Sequence, residues 1–328
     1  MDLSKIKKLA IIRLSSLGDI LLTTPFIRSL KKQFPQLEID FILKGQYKDL
    51  LFHNPYIVRI FSYDANQKDL LFDELKKYNY DFIIDLQNNF RSAEIKRALK
   101  APAVSFNKKT FEKFVLVHFK INKLKNLPLI PERYAHSLDG FRLDDEGLDL
   151  FLPEGINSQL KDGLNYIGIA PGSRHFTKMW PEEYYIKLGN ILSGNNYKVV
   201  LFGGKDDKQT CSRISSKIEN SINLCNDDNL FQTAADMKKC SAIVCNDSGY
   251  MHVACALKIP VLVFFGSTVR EFGFAPYKNK NILLENNSLT CRPCSHIGRV
   301  SCPKKHFKCM LELSPETAFN KLKMILNT

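Results

Sequence analysis

Short apolar runs alternate with amphipathic stretches along most of the chain. The runs at 8–14 and 166–170 are continuous and bounded by turns, which is typical of strands buried on both faces of a parallel sheet. The alternation dissolves between residues 126 and 163, where Pro, Asp and Gly accumulate, and then restarts. The sequence therefore predicts two doubly wound, Rossmann-like α/β domains, residues 1–155 and 156–328.

The stretch 244–267 is the most distinctive, because its pattern predicts a buried strand, a polar turn, a short helix and a second buried strand. Asp247 and Ser248 stand where a helix N-cap belongs, and Gly249 lets the backbone approach whatever occupies the turn. The unpaired N–H groups and positive dipole end of that helix favour an anion. His252 follows one turn later. The alternative is a simple helix cap with a core histidine.

A second polar loop follows the predicted strand 166–170. Ser173, Arg174, His175 and Lys178 cluster there, and we expect them to form a cationic cradle for a diphosphate together with the Asp247 turn. A solvent-exposed basic loop is the alternative. For the base and ribose of a nucleotide, the sequence indicates only a broad region, near residues 203–204 and 224–229.

The first glycine loop follows strand 8–14 and contains Gly18 and Asp19. It is not the dinucleotide fingerprint, because G-x-G-x-x-G does not occur there. Asp19 is its only carboxylate and stands at a predicted helix start, where the dipole favours the ionised form and suits a general base. The alternative is an ordinary helix cap. The helix is expected to continue to Phe34, with Pro25 in its first turns.

Charge adds a second theme. The chain has 328 residues and a net charge of +13, which favours an anionic partner. Ten Lys or Arg residues fall between Arg91 and Lys125 against only two acidic ones, interleaved with phenylalanines from 108 onwards. We interpret 108–125 as a surface for an anionic, partly apolar partner; a solvated face or a core-packing helix is the alternative. The basic residues follow no nucleic-acid-binding pattern, so we expect no nucleic-acid partner.

Cysteine usage and the N-terminus indicate a cytoplasmic protein. The chain has nine cysteines, no apolar run long enough for a membrane span, and no export-type segment at residues 1–5. Five cysteines lie in apolar settings and are expected in the core. The other four have a spacing that could hold a structural zinc ion or could leave free thiols: Cys291, Cys294, Cys302 and Cys309.

In this order and spacing, several motifs resemble the lipopolysaccharide heptosyltransferases, the inverting glycosyltransferases of GT-B fold that use ADP-heptose. The resemblance runs nearly end to end. Its carriers are Ser16-Leu17-Gly18-Asp19-Ile20 with Thr23, Thr24 and Pro25; Asp85-Leu86-Gln87 with Arg91-Ser92; Pro171-Gly172-Ser173 with Lys178 and Trp180-Pro181; Asn246-Asp247-Ser248-Gly249 with His252 and Ala254; and Phe265-Gly266-Ser267.

The resemblance implies a role for each of these loops. Asp19 would deprotonate the acceptor, and Lys178 would neutralise the departing diphosphate, with no cofactor required for catalysis. The donor-binding residues would be Ser173, Arg174, Lys178, Asp247, Ser248, Gly249 and His252, and the acceptor side would include Gly18, Thr23 and Arg91.

The resemblance also implies partners and a location. The two domains would face each other across a cleft, and the final helix, 315–326, would pack back on the N-terminal domain. The donor would be an ADP-sugar and the acceptor the lipopolysaccharide core on lipid A, met at the anionic inner face of the inner membrane. Another nucleotide-sugar or glycan acceptor on the same fold is the alternative; a basic nucleic-acid-binding protein with a zinc-binding tail is a distant one.

Overall fold

The computed structural model describes residues 3–327, so Met1, Asp2 and Thr328, at the ends of the two predicted domains, lie outside the described residues. The chain divides into two compact units. The first unit contains residues 3–109 and 128–151, and the second contains 110–127 and 152–327. The main boundary thus lies four residues before the predicted one.

The first unit is built on a five-stranded parallel sheet of order β3-β2-β1-β4-β5. Its strands are β1 Lys8–Ile12, β2 Glu38–Leu43, β3 Arg59–Ser62, β4 Phe82–Asp85 and β5 Ala103–Ser105. Its helices are α1 Leu17–Leu21, α2 Thr24–Gln33, α3 Lys68–Lys76, α4 Phe90–Leu99 and α6 Ile130–Ala135, with 3-10 turns at Leu3–Lys5 and Gly45–Leu50. The apolar runs read from the sequence form the buried central strands.

The first glycine loop leads into two helices where the sequence predicted one. Pro25 has no N–H to donate to the carbonyl of Leu21, so α1 cannot continue through it. The hydroxyl of Thr24 donates to that carbonyl instead, at 2.8 Å, and the hydroxyl of Thr23 donates to Ile20 O at 2.7 Å. The chain then restarts as α2 with Pro25 in its first turn.

The second unit has a six-stranded parallel sheet of order β11-β10-β9-β6-β7-β8. Its strands are β6 Tyr166–Ala170, β7 Lys198–Leu201, β8 Ile222–Asn223, β9 Cys240–Asn246, β10 Val261–Phe265 and β11 Asn281–Glu285. Its helices are α5 Thr110–Phe119, α7 Glu182–Gly194, α8 Lys208–Ser215, α9 Leu230–Met237, α10 Gly249–Ala256, α11 Lys308–Leu311 and α12 Pro315–Leu326, with 3-10 turns at Phe176–Lys178, Lys205–Asp207 and Arg270–Phe272.

Two segments differ from the predicted domain assignment. Segment 110–127, placed in the N-terminal domain from sequence, belongs to the second unit, because Leu116 and Leu124 pack with Phe272 in one apolar cluster. The final helix α12 was expected to pack on the N-terminal domain. Its buried face instead lies in the core of the second unit, where it packs against α7 and the strands of the sheet.

Strand order decides where the polar loops meet within each unit. The order reverses between β1 and β4 in the first sheet and between β6 and β9 in the second. Ligands of doubly wound folds bind outside the carboxyl ends of the strands at such switch points. The loops that carry Asp19, Lys178 and Asp247 each follow one of these four strands.

Candidate functional site

An ion pair occupies the switch point of the second sheet. Lys178, at the end of the loop after β6, places Nζ 2.8 Å from Oδ2 of Asp247, which follows β9. Their side chains are 16% and 8% exposed, so the pair is largely shielded from water. The sequence predicted that these two loops would meet, and the structure brings them together.

Asn246 holds the two loops in this arrangement. Its amide nitrogen donates to Pro171 O at 2.7 Å, and its amide oxygen accepts from the backbone N–H of Trp180 at 2.9 Å and the Tyr185 hydroxyl at 3.0 Å. A buried side chain therefore ties the end of β9 to both ends of the loop that contains Lys178. The sequence indicates Asn246 only as part of the motif Asn246-Asp247-Ser248-Gly249 and does not predict this bridging role.

The start of α10 lies directly beside the ion pair. Ser248 is the N-cap residue in extended conformation, and α10 begins at Gly249. The Ser248 hydroxyl is buried and has no hydrogen-bond partner among the described residues. A buried hydroxyl without a partner is costly, so a polar ligand at this helix start would satisfy it. His252 is buried one turn further along.

Sequence reasoning missed one residue of the loop after β10, Thr268. The Thr268 hydroxyl donates to Oδ2 of Asp247 at 2.7 Å, so the carboxylate is held by both Thr268 and Lys178. The neighbouring Ser267 accepts a hydrogen bond from the Thr177 hydroxyl at 2.9 Å. The motif Phe265-Gly266-Ser267 marks the start of this loop. Nothing in the local sequence indicates that the hydroxyl of Thr268, one residue further on, contacts Asp247.

In the same unit, the loop after β6 packs at Gly172 against the loop after β7, and the loop after β7 packs at Gly204 against the loop after β8. A methyl group at Gly172 would collide with the Asp207 carboxylate, and one at Gly204 with the Asp228 carboxylate. The Tyr250 hydroxyl of α10 lies beside Gly204. The contact between Gly204 and Asp228 lies in the region 203–204 and 224–229 that the sequence predicts for the base and ribose of a nucleotide.

The remaining predicted donor residues differ in exposure. Arg174 is exposed, and Ser173 and His175 are partly buried. Burial, with Arg174 and Lys178 nearby, lowers the pKa of His175. The imidazole is therefore neutral near neutral pH, and the positive charge of this loop comes from Arg174 and Lys178.

In the first unit, the residues that hold the Asp19 carboxylate include Arg13 and Ser16. Arg13 Nη2 lies 2.5 Å from Oδ1, and the backbone N–H and hydroxyl of Ser16 donate to Oδ2 at 3.1 and 2.7 Å. Arg13 also donates to Leu86 O at 2.6 Å, which links β1 to the end of β4. The carboxylate is thus fixed in orientation and paired with a guanidinium.

The predicted acceptor residues lie in different environments. Thr23 is fully buried and its hydroxyl donates a hydrogen bond to Ile20 O, and Gly18 is buried in α1. Arg91 is exposed in the first turn of α4. Thr23 therefore supports the loop, whereas Arg91 is free to reach solvent.

A half-buried ammonium, Lys108, lies within electrostatic range of Arg13, Asp19 and Asp85. Burial, together with the neighbouring Arg13 charge, lowers its pKa. The sequence indicates Lys108 only as one residue of the basic stretch 108–125 and does not predict its proximity to Asp19.

The nine cysteines are free thiols. Four of the five assigned to the core are buried, and Cys225 is partly buried. In the tail, Cys291 Sγ lies 3.8 Å from His306 Nε2. Across residues 3–327 no group of three or more His, Cys, Asp or Glu side chains is arranged to hold a metal ion. The zinc hypothesis stays a prediction, and no catalytic step is assigned to a metal.

With this geometry established, comparison with known proteins decides the family. The model of glycosyltransferase family 9 (heptosyltransferase) matches residues 70–305. The chain belongs to glycosyltransferase family 9. The chain is similar to lipooligosaccharide heptosyltransferase 2 of Campylobacter jejuni, with 26% identity over 327 residues that cover 94% of this chain and 95% of that protein. It is also similar to lipopolysaccharide heptosyltransferase 2 of Escherichia coli, with 27% identity and coverages of 81% and 84%.

Solved structures show the same fold. The chain matches the ADP-heptose lipopolysaccharide heptosyltransferase II of E. coli with a TM-score of 0.76 and 24% identity, covering 98% of each chain. A family 9 glycosyl transferase from Veillonella parvula matches with a TM-score of 0.80 and 23% identity, covering 100% of this chain and 99% of that one. The predicted family, enzyme class and GT-B fold are thereby confirmed.

Proposed function

We propose that this enzyme transfers a heptose from ADP-heptose to the inner core of lipopolysaccharide, with inversion at the anomeric carbon. Family membership supports heptose transfer. The observation that carries the donor assignment is the Lys178–Asp247 pair beside the start of α10. A lysine and free helix N–H groups form the kind of site that binds a diphosphate.

The second unit would stabilise the leaving group. As the glycosidic bond to the diphosphate breaks, negative charge grows on the phosphate oxygens. Lys178, the N–H groups at the start of α10 and the unpartnered Ser248 hydroxyl supply fixed positive or donor groups for that charge. Asp247 cannot stabilise an anion; its carboxylate is suited to accept hydrogen bonds from sugar hydroxyls.

The first unit would supply the base. Asp19 takes the proton of the acceptor hydroxyl while that oxygen forms its bond to the anomeric carbon. Arg13 and Ser16 hold the carboxylate in one orientation, which is what a positioned base requires. The proton ends on Asp19 and the electron pair of the broken bond on ADP, so one displacement inverts the centre.

Calorimetric titration with ADP, UDP and GDP tests the donor. Selective binding of ADP, weakened in Lys178→Ala, supports the site, and release of ADP from ADP-heptose on addition of a lipid A–Kdo acceptor supports the reaction. A preference for UDP or GDP would point instead to another nucleotide-sugar. If none of the three binds, the donor site is wrongly assigned.

We further propose that segment 108–125 rests on the anionic inner face of the membrane, where a lipid-linked acceptor would be found. Phe111, Phe114 and Phe119 of α5 and the adjacent Ile121 are 66%, 51%, 63% and 55% exposed. Besides the half-buried Lys108, five lysines lie in the same stretch with a single acidic residue. Exposed aromatic rings combined with lysines are typical of a membrane-surface segment. No helix among the described residues is long and apolar enough to cross a bilayer.

Vesicle sedimentation tests this surface. The double variant Phe111→Ser/Phe114→Ser should bind anionic vesicles at least several-fold more weakly than the wild type, because it loses two inserted rings. Leu70→Ser is the matched control, since Leu70 is 71% exposed on the first unit. Binding that is equal for both variants, or that ignores vesicle charge, would refute the proposal.

A further inference from the structure

The cysteine-bearing tail lies against the loops that hold the ion pair. Residues 291–299, the tail segment, form backbone hydrogen bonds with two of them. The N–H of Cys294 donates to Ser267 O at 3.1 Å. The N–H of Thr177 donates to Arg299 O at 3.1 Å, and the N–H of Arg299 donates to the Thr177 hydroxyl at 2.8 Å. The tail segment therefore bonds to the residue directly before Lys178.

Arg292 is the centre of this contact. Its guanidinium donates to Gly266 O at 2.7 Å through Nε, to Phe265 O at 3.1 Å and Thr268 O at 3.0 Å through Nη2, and to Asn286 O at 2.7 Å through Nη1. Nη2 also pairs with Glu285 at 2.9 Å, and the Arg292 side chain is only 4% exposed. One buried side chain thus fixes the backbone at both ends of the loop after β10.

A short path leads from this guanidinium to Lys178. Arg292 holds the Thr268 carbonyl, the Thr268 hydroxyl donates to Asp247, and Asp247 pairs with Lys178. A second path runs from Cys294 through Ser267 to Thr177, the neighbour of Lys178. Both partners of the ion pair are therefore anchored to the tail segment.

We propose that Arg292 is a positioning residue for the donor diphosphate: its planar fork fixes the loop after β10 so that Thr268 orients Asp247, and Asp247 in turn orients Lys178. This role rests on the proposed function of that pair. It gives the tail segment a part in donor binding, although it lies far from Lys178 in sequence.

The chemistry of the guanidinium makes this role testable. An arginine offers five N–H donors in a rigid plane, and all the contacts of Arg292 lie in that fork. A lysine keeps the charge and much of the apolar stem but has a single nitrogen. Arg292→Lys therefore removes the geometry while retaining the ion pair with Glu285, which separates positioning from charge.

The experiment compares three variants with the wild type. Arg292→Lys is the test, and Arg213→Lys is the matched control, because Arg213 forms an exposed pair with Glu182 on α7. Thr268→Val removes only the hydroxyl that orients Asp247, and it tests the path if Arg292→Lys folds poorly. ADP affinity, kcat, the KM values for ADP-heptose and acceptor, and the melting temperature are measured for each.

We expect Arg292→Lys and Thr268→Val to weaken ADP binding and lower kcat by about ten-fold or more, because a sub-ångström displacement of Lys178 is felt by the transferring group. The acceptor KM should change less than the donor KM, and Arg213→Lys should match the wild type. A fall in melting temperature with unchanged ADP affinity and kcat would overturn the proposal. If the wild type binds no ADP, the proposed function is wrong because the donor is not an ADP-sugar. If the wild type and the variants bind ADP equally well, the donor stands and the role of Arg292 is refuted.

Discussion

Replacing Lys178 by Ala tests the leaving-group role most directly. The change removes one cation from a site that is largely shielded from water, 2.8 Å from Asp247. Deletion of one fixed donor at a developing oxyanion lowers kcat by about 10²–10³, or about 2.7–4 kcal/mol. The first effect of Lys178→Ala is therefore a loss of this size.

A second effect arises from Asp247. Without Lys178, the Thr268 hydroxyl is the one side-chain partner that the Asp247 carboxylate keeps among residues 3–327, and the carboxylate then faces the incoming diphosphate. Two like charges about 4 Å apart repel by about 4 kcal/mol at an effective dielectric constant near 20. Lys178→Ala should consequently be more harmful than the lost cation alone, and Asp247→Asn should relieve part of the excess.

The assay is a double-mutant cycle on kcat/KM for ADP-heptose, with ADP affinity measured in parallel. We expect the double variant Lys178→Ala/Asp247→Asn to lose about 1–3 kcal/mol less than the sum of the single losses, as for residues in direct contact. Lys239→Ala serves as a control, because Lys239 pairs with Asp162 on the surface. A kcat for Lys178→Ala within three-fold of the wild type, or strict additivity, would refute the reasoning.

Three further predictions concern other parts of the molecule. Asp19→Asn should reduce transfer by about 10²–10⁴ while ADP affinity stays unchanged, because a base is lost and the donor site is not touched; a parallel loss of ADP binding would argue against separate roles. In the first unit, burial tends to raise the pKa of Asp144, but hydrogen bonds and charge from the buried Arg28, with Lys32, outweigh it and lower that pKa to about 2. A carboxylate with a lowered folded-state pKa contributes stability above its unfolded pKa and loses it as pH falls. Asp144→Asn should thus reduce the free energy of unfolding by about 2 kcal/mol near neutral pH, and the difference should shrink between about pH 4 and pH 2; a pH-independent difference in urea unfolding would contradict this. If the four tail cysteines hold zinc, elemental analysis of purified protein should give about one equivalent per chain that is lost on their replacement by Ser; metal-free, fully active protein would exclude it.

Much of the fold follows from local sequence. The buried parallel strands are short because their apolar runs are short, and the turns after them are polar. Such patterns depend on neighbours in sequence, so β1, β6 and β9 and the positions of Asp19, Lys178 and Asp247 after them were predictable. The resemblance to the heptosyltransferases implies a role for each of these loops without any knowledge of the distances between them.

Other features depend on the whole chain. The break between α1 and α2 has a local cause, Pro25, but the hydrogen bond from the Thr24 hydroxyl to the Leu21 carbonyl that completes it depends on the folded backbone. Segment 110–127 joins the second unit because its apolar face packs with Phe272, more than a hundred residues away in sequence. The position of helix α12 also depends on the whole chain. Its sequence shows that one face is apolar, but it does not show which apolar surface that face packs against.

The residue types and order of the polar loops were therefore determined by the sequence itself. Tertiary structure alone decided the partners: Thr268 for Asp247, Arg13 for Asp19, and Arg292 for the loop after β10. Hydrogen bonds act over about 3 Å, and the residues they join can lie anywhere along the chain. Arg292 stands between two cysteines in sequence, and only folding brings its guanidinium to the backbone that orients the ion pair.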